Sequence, residues 1–284
     1  MTIAEGTRAA YDTTLSRNAA ENYERYFVPS IGRPFAVDLV AGAGLKAGER
    51  VLDVACGTGI VARLAAEHVT GVGAVSGVDI NPAMLGVARS LPSAIPIKWY
   101  ETTAESAPLP DASFDVVFCQ MGLQFFANKP AALREMRRVL APGGRLHIST
   151  PMPNGLFDVL DRAIARHVSD EASAFVHAVF AFDDPEEMRV LLSESGFDGL
   201  DVRPHTKTLT LPAPRDFMWQ YINCTPLMAL VPPADDPRAK ALEAEVVAGW
   251  RPWAVDGGMR YEQSVLVGSA RAQFVRASVG ARAP

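Results

Sequence analysis

From residue 33 to about residue 149, short apolar runs alternate with longer amphipathic stretches, the pattern that βαβ units on a parallel sheet produce. The runs fall at 51–54, 72–80, 95–100, 114–119 and 145–149, each about strand length, rich in Val, Ile and Phe, and bounded by Gly, Pro or Asp. Helices are predicted between them at 59–67, 82–90 and 131–140. Pro82 stands where a first-turn proline belongs after an Asn81 cap, and Pro142-Gly143-Gly144 predicts a stop to the third helix and a turn into the fifth strand. Five strands with short crossovers predict an α/β, doubly wound sheet.

Two regions leave that rhythm. Before the core, 13–27 has helical spacing at Ala20, Tyr23 and Phe27, and Pro29 predicts a break before 33–43 resumes. After the fifth strand, Pro151 and Pro153 open an apolar segment, 156–182, at helical spacing. A helix at 185–195 ended by Gly196, a strand at 199–211, a Pro-, Trp- and Met-rich helical insertion at 212–256 and a last strand at 262–268 follow. From Arg271 the tail is too polar and small-residue-rich to predict an element. The expected organisation is an N-terminal helical lid at 1–32, an α/β core at 33–150, and a completion of that core at 151–284 carrying helical insertions at 154–182 and 212–256.

Composition narrows the class. At 284 residues and 49% hydrophobic, the chain is long enough for one enlarged domain or a core with an appendage. The 27 basic and 32 acidic side chains leave a net charge of −5 with no cluster of Lys and Arg, which counts against a nucleic-acid partner. Cys56, Cys119 and Cys224 have no CxxC spacing, so no disulfide framework, no metal site and a reducing intracellular setting are expected. No apolar run approaches the roughly 18–20 residues that cross a bilayer. Residues 1–16 lack the pattern of a signal peptide, so a cytoplasmic protein is expected.

The chemistry concentrates in Val51-Leu52-Asp53-Val54-Ala55-Cys56-Gly57-Thr58-Gly59. A strand that turns through glycines into a helix lets backbone approach a ligand closely, with the helix N-terminus aimed at it. Asp79 closes the second strand, where a carboxylate can accept from ribose hydroxyls, so the pair marks a nucleoside-bearing cofactor. Dinucleotide folds use GxGxxG to meet a pyrophosphate; here the order is Asp-x-Ala-x-Gly-x-Gly, and position 62 is alanine.

The stretch resembles motif I of the class I S-adenosylmethionine-dependent methyltransferases. Three more blocks match that family in order: Asp79-Ile80-Asn81-Pro82-Ala83-Met84, then Thr103-Ala104-Glu105-Ser106-Ala107-Pro108-Leu109-Pro110 before Phe114-Asp115-Val116-Val117, then Leu140-Ala141-Pro142-Gly143-Gly144. The likeness is to the quinone-biosynthesis and small-metabolite subgroup, covers roughly 20–150, and fades beyond. It implies a Rossmann-like, mostly parallel sheet of seven strands with the last antiparallel. It also implies S-adenosylmethionine as cofactor and S-adenosylhomocysteine as product. By position, it puts Asp53 and the carbonyls of Ala55 and Gly57 near the cofactor's α-ammonium, with Gly59 completing the turn. Asp79 would take the ribose hydroxyls, and Ile80 and Met84 would flank adenine, with Ala104 and Glu105 at its edge. Gln120, Met121 and Gln124 would hold the methionyl arm and floor the transfer site. Two positions depart from the pattern: the first glycine of the turn is Ala55, and the place often held by Asp is Thr103.

Outside those blocks each residue carries two readings. Tyr23, Phe27 and Arg33 either belong to a lid, as in such relatives, or pack the first helix on the sheet. Phe175, Phe180, Phe217, Trp219 and Tyr221 are either core or the wall of an apolar acceptor pocket; they lie outside the compact sheet, on elements that must cover something. His177 is a structural residue or a base for the acceptor, Cys56 and Cys119 read as small buried thiols, and His147 reads as a satisfied core residue. Direct displacement at a sulfonium needs alignment and exclusion of water more than a catalytic constellation, which agrees with the lack of a triad or carboxylate pair. The expected activity is methylation at O, N or C of a small apolar, aromatic or quinone-like acceptor. A cofactor-binding protein without transfer and a nucleotide-dependent oxidoreductase are the alternatives.

Overall fold

The computed structural model describes residues 15–273; the expectations for 1–14, and for the tail beyond 273, lie outside them. One sheet in the order β3-β2-β1-β4-β5-β8-β6 organises the chain. Strands β1 (Arg50–Val54), β2 (Ala74–Asp79), β3 (Ile97–Glu101), β4 (Phe114–Gln120) and β5 (Leu140–Pro151) run parallel. The long strands β6 (Phe197–Leu211) and β8 (Gly258–Ala272) complete the sheet, β8 lying antiparallel to both β5 and β6. An eighth strand, the two-residue β7 (Ala254–Val255), turns back on the start of β8 and has no counterpart among the seven expected. Strand order reverses between β1 and β4, so a crevice opens at their carboxyl ends, where open α/β sheets bind ligands.

The central strands are buried on both faces, which is why they read as continuous apolar runs. The helices Ile60–His68 and Pro82–Ser90 fall where the pattern puts them. Asn81 caps the second of these by accepting from the N–H groups of Ala83 and Met84. The next helix starts at Lys129, two residues earlier than predicted, because Asn128 accepts from Ala131 N–H and Pro130 fits the first turn. Pro142-Gly143-Gly144 is not a turn ahead of the strand. Leu140 already pairs with Phe114, the register slips, and the ladder resumes at Val116↔Arg145, so the tripeptide is a bulge inside β5 with Gly143 at φ +76°.

The N-terminal segment corrects a second expectation. Helix Arg17–Asn22 runs into a π-helical segment, Tyr23–Gly32, and on into helix Arg33–Ala43 without a break at Pro29. A proline breaks an α-helix because it strikes the carbonyl four residues back; the wider i→i+5 winding relieves that clash.

Past β5 come helices Gly155–His167, Asp170–Val179 and Pro185–Glu194. Between β6 and β7 lie Pro214–Asn223, Leu227–Leu230 and Pro237–Gly249. Strand β6 starts only two residues earlier than predicted, whereas β8 is about twice its predicted length, and the two pair out to Leu209, Leu211, Met259 and Tyr261, past the parallel sheet. These apolar ends and the insertion helices bury one another, with Trp250 at the centre donating from Nε1 to Leu156 O at 2.7 Å. This second core stands beside the carboxyl ends of β4 and β5, and Ile31 of the π-helical segment joins it. Among the described residues no helix is long and apolar enough to cross a membrane.

Candidate functional site

Three consecutive odd positions of the β1 turn are left-handed: Ala55 at φ +55°, Gly57 at +54° and Gly59 at +85°. Glycine adopts that region freely, whereas Ala55 stores strain of about 1 kcal/mol or more. The sheet holds the turn in place. Cys56 N–H donates to Val78 O at 3.0 Å, and Asp79 accepts from Gly57 N–H at 2.7 Å and from Asn81 N–H at 2.8 Å. One carboxylate thus fastens the β1 turn to the β2 turn. Beneath them Asp53 accepts from Ala62 N–H at 3.0 Å, in the first turn of the helix that follows. Burial pushes its carboxyl up to about 8, with Asp79 adding to the effect, while the Ala62 bond works the other way.

The glycines are needed for different reasons. A Cβ on Gly59 or Gly77 would collide with the indole of Trp99, whereas one on Gly57 would meet only Tyr23, at 3.9 Å. Gly57 is therefore the position where backbone lies open to the cavity. Gly122, just past β4, would bring a Cβ within 2.6 Å of the Ala55 Cβ, so its missing side chain lets the two loops close on each other.

Between these turns lies a cavity of about 350 Å³, within the range typical of ligand sites. Ala55 and Gly57 form one wall, Asp79, Ile80 and Met84 the next, Thr103, Ala104 and Glu105 the third, and Gln120 and Met121 the last. Asp79 and Glu105 supply its carboxylates, and no Lys, Arg or His is among its lining residues. A second, smaller cavity of about 50 Å³ adjoins it at Tyr23, Met121 and Phe125 and is walled by Phe27, Phe157, Phe180 and Tyr221. Two amide oxygens, Gln120 Oε1 and Gln124 Oε1, are buried here without a hydrogen-bond partner. Their amide nitrogens are anchored, Gln120 Nε2 to Gly32 O at 2.8 Å and Gln124 Nε2 to Met121 O at 2.9 Å. Met121, at the junction, is itself left-handed at φ +52° and donates from N–H to Ser149 O at 2.7 Å.

Of the residues marked in the sequence, Asp53 lies under the turn, Gly59 ends it against Trp99, Gln124 lines the smaller cavity, and the other cofactor candidates line the larger one. Tyr23 borders both, and Phe27, Phe180 and Tyr221 wall the smaller. The fold puts five acceptor candidates elsewhere. Arg33 is exposed at the start of helix Arg33–Ala43 and lines neither cavity. His177 is an exposed side chain paired with Asp161 at 2.8 Å. Phe175 is sealed in the second core, Phe217 packs there against Phe157 and Trp250, and Trp219 turns outward to donate from Nε1 to Glu243 at 2.7 Å. His147 is buried but not satisfied: its Nε2 has no partner, and burial with Arg145 and Arg271 nearby lowers it to about 4, keeping it neutral. Burial pushes the thiols of Cys56 and Cys119 well up, which removes the thiolate and any nucleophilic role. The sequence reading missed Asn81, Gly122, Phe126 and Asn128 around the first cavity and Phe157, Thr225 and Gln263 around the second. The loop after β4 signals Gly122, Phe126 and Asn128, because it faces the β1 turn, and Asn81 is signalled by its place just after Asp79 at the end of β2; no local signal marks the second group.

A family profile described as a methyltransferase domain matches residues 52–148. The demethylmenaquinone methyltransferase of Thermus thermophilus is 34% identical over 177 residues, covering 57% of this chain and 79% of that protein. The ubiquinone/menaquinone biosynthesis C-methyltransferase of Neisseria meningitidis is 32% identical over 218 residues, covering 70% and 89%. Among solved structures, phosphoethanolamine N-methyltransferase 2 of Haemonchus contortus with S-adenosylhomocysteine has a TM-score of 0.59 at 19% identity, over 91% of this chain and 58% of that one, a likeness of fold.

Proposed function

This chain belongs to the class I S-adenosylmethionine-dependent methyltransferases of the quinone-biosynthesis group, and we propose that it methylates a small, apolar, quinone-like ring that meets the cofactor from the aromatic side of the junction, where the cavity of about 50 Å³ must widen to admit it. The observation that carries this reading is the junction of two unlike cavities at Tyr23, Met121 and Phe125, one bearing the carboxylates Asp79 and Glu105, the other aromatic and without a charged side chain.

The larger cavity fits the cofactor on three counts. Gly57 leaves backbone open to it, Gln120 Oε1 is a buried acceptor in need of a donor, and its charged groups are carboxylates. Acceptors and carboxylates suit an ammonium and a sulfonium; a pyrophosphate would find no counter-charge there, which disfavours the oxidoreductase alternative. In this assignment Asp79 takes the ribose hydroxyls, Ile80 and Met84 sandwich adenine with Ala104 and Glu105 at its edge, and Gln120 holds the ammonium. Bound there, S-adenosylmethionine supplies an electrophilic methyl group on a sulfonium.

The remaining work falls to the chain. Tyr23, Phe27 and Phe180 exclude water from the junction, and Met121 sets the line along which the acceptor approaches. Tyr23 and Tyr221 are the ionisable side chains of the aromatic cavity, so the acceptor atom must be nucleophilic without a strong protein base, as an electron-rich ring is. Titration calorimetry with S-adenosylhomocysteine, followed by turnover of a prenylated 1,4-naphthoquinol lacking the ring methyl, tests the proposal. Binding with turnover is expected. Binding without turnover of that ring or of a benzoquinol counterpart overturns the substrate, and absence of binding overturns the cofactor site.

A further inference from the structure

Arg63 touches two parts of the site at once. Its Nη1 donates to the carbonyl of Thr58, inside the glycine turn, and its Nη2 donates to Glu24 Oε1, on the π-helical segment, at 2.7 Å. The two side chains are only 14% and 21% exposed, so their attraction is screened far less than that of a surface pair. The other carboxylate oxygen, Glu24 Oε2, is buried with no hydrogen-bond partner, so this carboxylate depends on Arg63.

The neighbour of Glu24 gives the pair its meaning. Tyr23 borders both cavities, sits at the open face of Gly57 and stacks on Phe27 with ring centres 4.6 Å apart. The far end of the same segment is tied down by Gln120 Nε2 on Gly32 O. One segment thus spans the junction, with one fastening to the β1 turn and another to the end of β4.

We propose that Arg63 is a positioning residue that latches the Tyr23–Gly32 segment to the glycine turn, making closure over the two cavities and the shape of the turn a single event. The proposal rests on the reading of the larger cavity as the cofactor site. Glu24→Gln keeps the size of the side chain and leaves Arg63 on Thr58, so it removes the ionic tie alone. Arg63→Gln removes both contacts, and Arg63→Lys keeps the charge but not the two-armed reach.

The test is stopped-flow binding of S-adenosylhomocysteine to the full chain. Glu24→Gln is expected to raise the dissociation rate about tenfold with association within about twofold, since loss of a closing contact acts on escape more than on encounter. Arg63→Gln should lose more, Arg63→Lys should fall between, and the Glu24→Gln/Arg63→Gln double variant should be no worse than Arg63→Gln alone. If Glu24→Gln does not fold, Glu24→Asp reads the same rate with the charge kept and the reach shortened. A dissociation rate within about twofold of wild type, or additive losses in the double variant, overturns the latch while leaving the cofactor site standing. Wild-type protein that does not bind S-adenosylhomocysteine overturns the cofactor site and the latch with it.

Discussion

The two carboxylates beside the glycine turn do different work. Asp79 faces the cavity and holds Gly57 N–H and Asn81 N–H, so it shapes the turn as well as offering acceptors to a ligand. Asp79→Ala is expected to weaken S-adenosylhomocysteine at least about tenfold, since hydrogen bonds to a charged group contribute roughly 1.5–3 kcal/mol each. Unchanged affinity in calorimetry would contradict that assignment. Asp53 is raised by burial from its ordinary 3.8 to about 8, so the folded chain holds a proton that the unfolded chain releases. Its contribution to stability is full below pH 3.8, falls as pH rises through the window, and is lost above about 8. Asp53→Asn keeps an oxygen for Ala62 N–H and cannot ionise, so it should raise the melting temperature of the ligand-free protein more at pH 8.5 than at about pH 5.5. An equal gain at both pH values would show that Asp53 does not titrate in that range.

At the scale of elements, matched substitutions separate the reasons for a glycine. Gly86 is exposed in the middle of helix Pro82–Ser90 with open space at its Cβ, so Gly86→Ala should stabilise by about 0.5–1 kcal/mol. Gly59 is left-handed over the Trp99 indole, so Gly59→Ala should destabilise by about 1–3 kcal/mol. Urea unfolding of both variants measures this contrast, and losses of similar size would remove the case for Trp99 as the floor of the turn. The same turn was legible from its residue types because a left-handed backbone selects glycine locally. The passage through Pro29 was not legible, because the proline rule assumes α-helical winding and the segment winds wider. The bulge at Gly143 escaped for a related reason: Pro-Gly-Gly signals irregular backbone without saying whether the strand has already begun.

For the whole molecule, the central question is which aromatics see the acceptor. Phe180 walls the smaller cavity and Phe217 is sealed in the second core. Phe180→Ala should raise KM or lower kcat for the ring acceptor while S-adenosylhomocysteine affinity stays within about twofold. Phe217→Ala should lose about 3–5 kcal/mol of stability and affect turnover only through the unfolded fraction. Steady-state kinetics beside urea denaturation distinguishes the two, and a selective KM effect at Phe217 would reverse these assignments. Both residues lie in apolar helical stretches that read alike in the sequence. An amphipathic helix shows one apolar face whether that face meets another helix or borders a cavity, so periodicity could not sort Phe157, Phe180 and Tyr221 from Phe175, Phe217 and Trp219. The overhang of β6 and β8, fixed by long-range pairing such as Leu211↔Met259, decides where those helices dock. What the sequence determined by itself was local: five core strands from a run of apolar residues, a ligand-facing turn from its glycines, and a carboxylate at the end of β2. What only the tertiary structure decided was relational: the meeting of two cavities, the fastening of Glu24 to Arg63 across 39 positions, and the choice of wall or core for each aromatic side chain. Contacts between distant segments leave no period in the chain that makes them.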